Sequence, residues 1–261
     1  MTSGVAGDAA DPLAFDWRVD PDLRRLFDVI EPPAPENEPA PPLPTKSWLD
    51  FFVGRAYAAD AAAMPALDRW VPTQDELRAY ETRLASLLGK ASAGESQRAA
   101  FAAPYDKIYQ HLVPTTALIE SCWRQYVVRG GKVTYLRSQS ASVGIMQINQ
   151  RVWRGFYDVE RVRWDTAYNI RAGAQILARY VKDYAIPYAE KTGNPNHVPR
   201  AAYAVYNAGP RAVGRFNKPT PHPREARVDG RLWNLYQGIA AGGQIDLANC
   251  GVNGAKTAAT R

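Results

Sequence analysis

Cysteine and histidine are scarce in this chain of 261 residues. Two cysteines, Cys122 and Cys250, are too few for a disulfide scaffold. A single pair and two reduced thiols are both open at this level. Were they to pair, closing so long a loop stabilises the fold by roughly 4–5 kcal/mol in the chain-entropy picture. The three histidines, His111, His197 and His222, have no ligand spacing to one another or to Cys, Asp or Glu, so no metal site is expected. No Gly-rich phosphate loop occurs, and no cofactor is expected either. No apolar run reaches the ~18 residues that a membrane-spanning helix needs. The stretch Met1 to Pro21 carries four aspartates and neither a basic nor an apolar segment, so it does not read as a signal peptide.

Charge, by contrast, is plentiful and uneven. Residues 105–236 hold 20 Lys+Arg against 9 Asp+Glu, a balance of +11, inside a chain whose total is +6. A polyanionic partner suits such a region, nucleic acid and an anionic cell-wall polymer being the two candidates. Proline is concentrated at the other end, with seven in Glu31 to Pro44, which predicts an extended, linker-like segment. The expected organisation is a Pro-rich arm over 1–45, a helical extension over 46–104, a main domain over 105–240 and a tail over 241–261.

Helical periodicity dominates the remainder. Thr73 and Glu76 have capping-box spacing before Leu77, Tyr80, Leu84, Leu87 and Leu88. A second helix is predicted over Tyr105 to Val128, kinked or divided by Pro114. Gly130-Gly131 break the pattern, and Lys132 to Leu136 reads as a short strand or extended loop. Helices are further predicted over Met146–Phe156, Asn169–Ala185 and Pro199–Ala208, the last stopped by Gly209-Pro210. Shorter ones follow over Arg211–Phe216 and Arg231–Ile239. The fold class is mostly α.

Three segments carry chemistry: Ala117-Leu118-Ile119-Glu120-Ser121, Gly144-Ile145-Met146-Gln147-Ile148-Asn149, and Ala204-Val205-Tyr206-Asn207-Ala208-Gly209-Pro210. Glu120 ends an apolar run, where desolvation disfavours the anion and keeps a carboxyl protonated, as a general acid requires. Ser121 has no histidine base beside it in sequence, so it is not read as a nucleophile.

With Asn169-Ile170-Arg171-Ala172-Gly173 between the second and third segments, the order of motifs resembles the soluble lytic transglycosylase domain, a relative of goose-type lysozyme. The resemblance spans residues 105–220 and implies a lysozyme-like α fold. It also implies cleavage of the MurNAc-β-1,4-GlcNAc bond of peptidoglycan, the sugar's own 6-hydroxyl closing a 1,6-anhydro ring. By that resemblance Glu120 is the acid and then the base, Gln147 hydrogen-bonds glycan, and Tyr206 lies beside Glu120. Ser138, Asn149 and Asn207 join the candidate groove, with Asn207 better suited to fastening its motif. The Asn169–Gly173 motif should permit close helix packing. Beyond Glu120 the nearest motif-associated carboxylates are Asp158, Glu160 and Asp165, in a polar segment and in no catalytic setting, which suits a one-carboxylate route. A goose-type lysozyme-like hydrolase and a non-catalytic peptidoglycan-binding protein are the alternatives.

The resemblance places the substrate, peptidoglycan glycan strands, in the periplasm or cell envelope, and makes the Pro-rich arm a candidate contact for an envelope protein. These motifs call for no nucleic acid. Two departures from the family stand out. The proline usual after the Glu-Ser pair is missing, and Gly144 lies 24 positions after Glu120, a longer spacing that predicts a loop or hairpin over Val127 to Arg137.

Overall fold

The computed structural model describes residues 67–243, Ile245, Leu247, Ala248 and Cys250. Two units divide the chain, Met1–Ser47 and Trp48–Arg261, and every described residue belongs to the second. The expected arm over 1–45, the helical extension as far as residue 66 and the tail beyond Cys250 lie outside the described residues. Among those described, no helix is long and apolar enough to cross a membrane.

Helix α1 (Leu77–Arg98) packs against α2 (Tyr105–Ser121), and Leu84, Leu88, Leu112 and Val113 are fully buried. Half of the anticipated capping box forms: the Glu76 carboxylate accepts the Thr73 amide (2.8 Å) and also the Trp70 indole N–H (3.2 Å). Pro114 does not divide α2, which runs through it. The helix does stop short of the expected Val128. Cys122 and Trp123 adopt left-handed backbone (φ 53° and 56°), which no α-helix accommodates. Burial of the Trp123 ring holds this turn, its indole N–H reaching back to the Pro114 carbonyl (2.9 Å) and Tyr80 donating to the Trp123 carbonyl (2.9 Å). Glu120 therefore stands at the helix end, one residue before the last, rather than in its middle.

A hairpin follows, β1 (Tyr126–Arg129) pairing antiparallel with β2 (Lys132–Tyr135). Its two-residue loop is Gly130-Gly131, both at positive φ as the favoured hairpin turn demands. Strands β3 (Ser142–Val143) and β4 (Ile148–Asn149) form a second, smaller hairpin. Its four-residue loop is Gly144–Gln147, so the helix expected over Met146–Phe156 shrinks to α3 (Gln150–Trp153). Backbone pairing of Val143 with Ile148 accounts for the difference, because both side chains are buried and a period-2 strand places them there.

Helix α4 (Val159–Trp164) leads to α5 (Thr166–Tyr180), continued as a π-helical turn over Val181–Ala185. Helix α5 is the axis of the fold: Tyr109 of α2 donates to its Ala174 carbonyl (2.7 Å), and Met146 lies against Gly173, where an added Cβ would meet it at 2.4 Å. Helices α6 (Ile186–Thr192), α7 (His197–Ala208) and α8 (Pro223–Ala240) follow, and two short 3-10 turns, Pro210–Ala212 and Arg215–Asn217, stand where one helix over Arg211–Phe216 was expected. Helix α8 is longer than its predicted counterpart and begins with the proline at its first position.

Candidate active site

Glu120 is brought to its surroundings by the end of α2. Desolvation by the apolar helix faces around it pushes its pKa up to about 7 from an ordinary 4.5, against the opposing effect of a hydrogen bond from Tyr203. That bond, from the Tyr203 hydroxyl to Glu120 Oε1, measures 3.0 Å. Burial and the neighbouring carboxyl in turn hold the Tyr203 phenol well above its usual value, so it remains a donor.

The Gly144–Gln147 loop is tied to the residue after Glu120 and to α7. Ser121 donates from Oγ to the Ile145 carbonyl (2.7 Å), and Tyr206 donates to the Met146 carbonyl (2.6 Å). Tyr206 and Tyr203 lie one turn apart on α7, so the contacts close a circuit from Glu120 through Ser121, the loop and α7 back to Glu120. Two buried amides hold the loop from beneath. The Gln125 carbonyl oxygen accepts the Ile145 N–H (2.8 Å) and the Asn169 carbonyl oxygen accepts the Met146 N–H (2.9 Å). Their amino groups are bound as well, both to Val162 O, with Gln125 also reaching Arg163 O and Asn169 reaching Val143 O. Gly144 is required at the loop entrance, since its φ is +75° and a Cβ would sit 2.3 Å from both amide side chains.

Gln147, itself left-handed at φ 47°, folds its amide N–H onto the Gly144 carbonyl (2.8 Å). Such backbone in a non-glycine residue is uncommon and concentrates at functional sites. Asn149 and Ser138 stand apart from this circuit. Asn149 caps α3, accepting the Arg151 and Val152 amides and donating to the Ser140 carbonyl (3.2 Å). Ser138 exchanges a hydrogen bond with Ser140 (2.9 Å) and accepts the Ser142 amide. Asn207 accepts from Arg215 (3.0 Å), whose guanidinium makes a buried fork with Asp229 (2.7–3.1 Å). These three side chains are engaged locally.

The hydrogen bond to Glu120 thus comes from Tyr203, a residue the motifs did not single out, and Tyr206 holds the loop. Both tyrosines occur in Ala-Ala-Tyr-Ala-Val-Tyr at helical spacing of three, so their shared helix face is legible in the sequence. Gln125 had no local signal. Asp158 and Asp165 are occupied as caps of α4 and α5, and Glu160 pairs with Arg163. No neighbouring charge contributes to the Glu120 shift. Among the described residues no group of three His, Cys, Asp or Glu is placed to hold a metal ion.

The sulfur atoms of Cys122 and Cys250 form a disulfide across 128 positions, so the pairing left open by the sequence is made in the structure. It attaches the chain after α8 to the turn just past Glu120. The family model for the transglycosylase SLT domain matches residues 99–227, which contain every element of the circuit just described. No curated protein and no solved structure matches the chain.

Proposed function

Residues 99–227 are a transglycosylase SLT domain, a lysozyme-like, mostly helical domain of peptidoglycan-acting lytic transglycosylases, and from that premise we propose that this protein cleaves the MurNAc-β-1,4-GlcNAc bond with formation of 1,6-anhydro-MurNAc. The observation that carries the reading is a single carboxyl, Glu120, with its pKa raised to about 7 by burial and one oxygen already engaged by Tyr203.

In the proposed reaction the free oxygen of protonated Glu120 gives its proton to the bridging oxygen, and the C1–O bond breaks. Positive charge on the MurNAc ring is met by its own 2-acetamido group, as in substrate-assisted glycosidases. The 6-hydroxyl of the same sugar then attacks C1 and returns its proton to Glu120. No water is consumed and no second carboxylate is needed. Tyr203 steadies the anion between the two transfers. Gln147, with its N–H groups turned toward Gly144, accepts from a sugar hydroxyl through its carbonyl oxygen. The disulfide suits an oxidising compartment, consistent with action in the cell envelope or periplasm.

Mass spectrometry of muropeptides released from purified sacculi tests this. The expected product is lighter by one water than its hydrolytic counterpart, and Glu120→Gln should release none. Reducing-end products alone would make the enzyme a hydrolase instead.

A further inference from the structure

Helix α7, which carries both site tyrosines, is tied at its end to a buried ion pair. Arg215, on the second 3-10 turn, and Asp229, on α8, are each 3% exposed. The guanidinium gives its Nε hydrogen to both carboxylate oxygens (3.1 and 3.0 Å) and an Nη2 hydrogen to one of them (2.7 Å). Its Nη1 turns instead to the Asn207 side-chain oxygen (3.0 Å). Pairs such as Glu95–Arg98 and Arg179–Asp183 join residues three or four apart and keep a partner in solvent. Arg215 and Asp229 join two separate elements away from water.

Net stability is a poor reason for such a pair, because desolvating two charges about cancels their attraction and apolar residues of similar volume serve as well. What the pair adds is direction. A planar fork held at one edge fixes where Nη1 points, and so where Asn207 is held. Asn207 lies one position after Tyr206 and four after Tyr203, on the last turn of α7, and Gly209 at φ +83° ends the helix just beyond it. Helix ends leave carbonyls without intrahelical partners and fray first. From this end Tyr203 reaches Glu120 and Tyr206 reaches the Met146 carbonyl. Rotation of the turn would carry both hydroxyls away from their acceptors. After burial and Glu120, which push the Tyr203 phenol up most, Arg215 draws it down and Asp229 draws it up, so the pair stands near that ring. Glu120 takes no contribution from either charge, which leaves Tyr203 as the route from the fork to the acid.

Taking Glu120 as the acid, as the proposed function does, we propose that Arg215 and Asp229 are positioning residues: through Asn207 they hold the end of α7 in the rotation at which Tyr203 meets Glu120 and Tyr206 meets the Gly144–Gln147 loop. Asp229 lies two positions past the segment matched by the family model, so the machinery around the acid extends onto α8.

An NMR titration of the Glu120 carboxyl, assigned by its absence in Glu120→Gln, tests this without substrate. Asp229→Leu alone strands a buried cation and endangers folding. Arg215→Met combined with Asp229→Leu removes both charges, and Asn207→Ala cuts the link while leaving the ion pair. In both, with folding checked by circular dichroism, the titration should move up to where Tyr203→Phe places it. In the double variant kcat should also fall about tenfold with KM nearly unchanged, because the Glu120 anion loses its donor. Arg215→Lys keeps the charge without the fork and should resemble the double variant. In a Tyr203→Phe background none of these substitutions should move the titration further. A titration that stays at the wild-type position in the folded variants, or that moves as far again in the Tyr203→Phe background, overturns the role. Should the double variant fail to fold, Asn207→Ala decides in the same way. If the titration moves while the wild type releases no product, the positioning role stands and the proposed reaction falls. If it stays while the wild type cleaves, the fork is structural only and the reaction stands.

Discussion

At Glu120 two opposed effects meet, and desolvation outweighs the Tyr203 hydrogen bond. A pH–activity profile should fall as pH rises through about 7, because the proton needed for the leaving group is lost there. Tyr203→Phe removes the one contact that favours the anion, so the alkaline limb should move up in pH; an unmoved limb would show that Tyr203 does not reach Glu120 in solution. Stability follows the same linkage. Between the ordinary 4.5 and about 7 the folded protein keeps a proton that the unfolded chain has released, so stability declines across that window and the penalty is complete above it. Glu120→Gln should therefore be more stable than wild type at pH 8, by about 1–3 kcal/mol, and equal to it below the window. Chemical denaturation at pH 4 and pH 8 measures the difference. The raised pKa of Glu120 was legible in the sequence, since an apolar run before a lone carboxyl is a local signal. The sequence did not show which tyrosine holds it, because Tyr203 and Tyr206 share a face and only the approach of α2 and the loop separates their roles.

The Gly144–Gln147 loop depends on side chains from outside it. Gln125 lies in the turn before β1 and Asn169 on α5, and each binds one loop amide and two carbonyls with a fully buried side chain. Asn169→Leu leaves the buried Met146 N–H without its acceptor and takes one donor from each of the Val143 and Val162 carbonyls, the latter keeping Gln125, which should cost about 2–4 kcal/mol and reduce activity more than the loss of folded protein explains. Thermal unfolding alongside the specific activity of the folded fraction checks it; activity falling only in step with folding would assign Asn169 to stability alone. Gly144→Ala should be at least as damaging, since it combines positive φ with a 2.3 Å clash. The Gly-Gly turn of the first hairpin was legible because two adjacent glycines take up the positive φ of a tight hairpin turn without steric cost. The second hairpin was not. Its strands have two residues each, too few for a period to register, and its pairing is decided by burial of Val143 and Ile148.

For the molecule as a whole, the disulfide joins the turn after Glu120 to the chain beyond α8. Cys250→Ser should lower stability by about 2–5 kcal/mol, measured by thermal unfolding under oxidising conditions. Reductant should lower the wild type to the same level, and a wild type insensitive to reductant would mean the bond is absent in solution. The sequence by itself determined the helical class, the order of the motifs, the excess of cations around them and the lone carboxyl at the end of an apolar run. Each of these is written in neighbouring residues or in a period of a few residues, where local sterics and desolvation decide. Only the tertiary structure decided that Tyr203 meets Glu120, that Gln125 and Asn169 carry the loop, that Asp158, Glu160 and Asp165 are spent on caps and an ion pair, and that the two cysteines meet. Those contacts join residues far apart in the chain, and which of them form depends on how whole helices bury their apolar faces against one another, a sum over many side chains that no short segment contains.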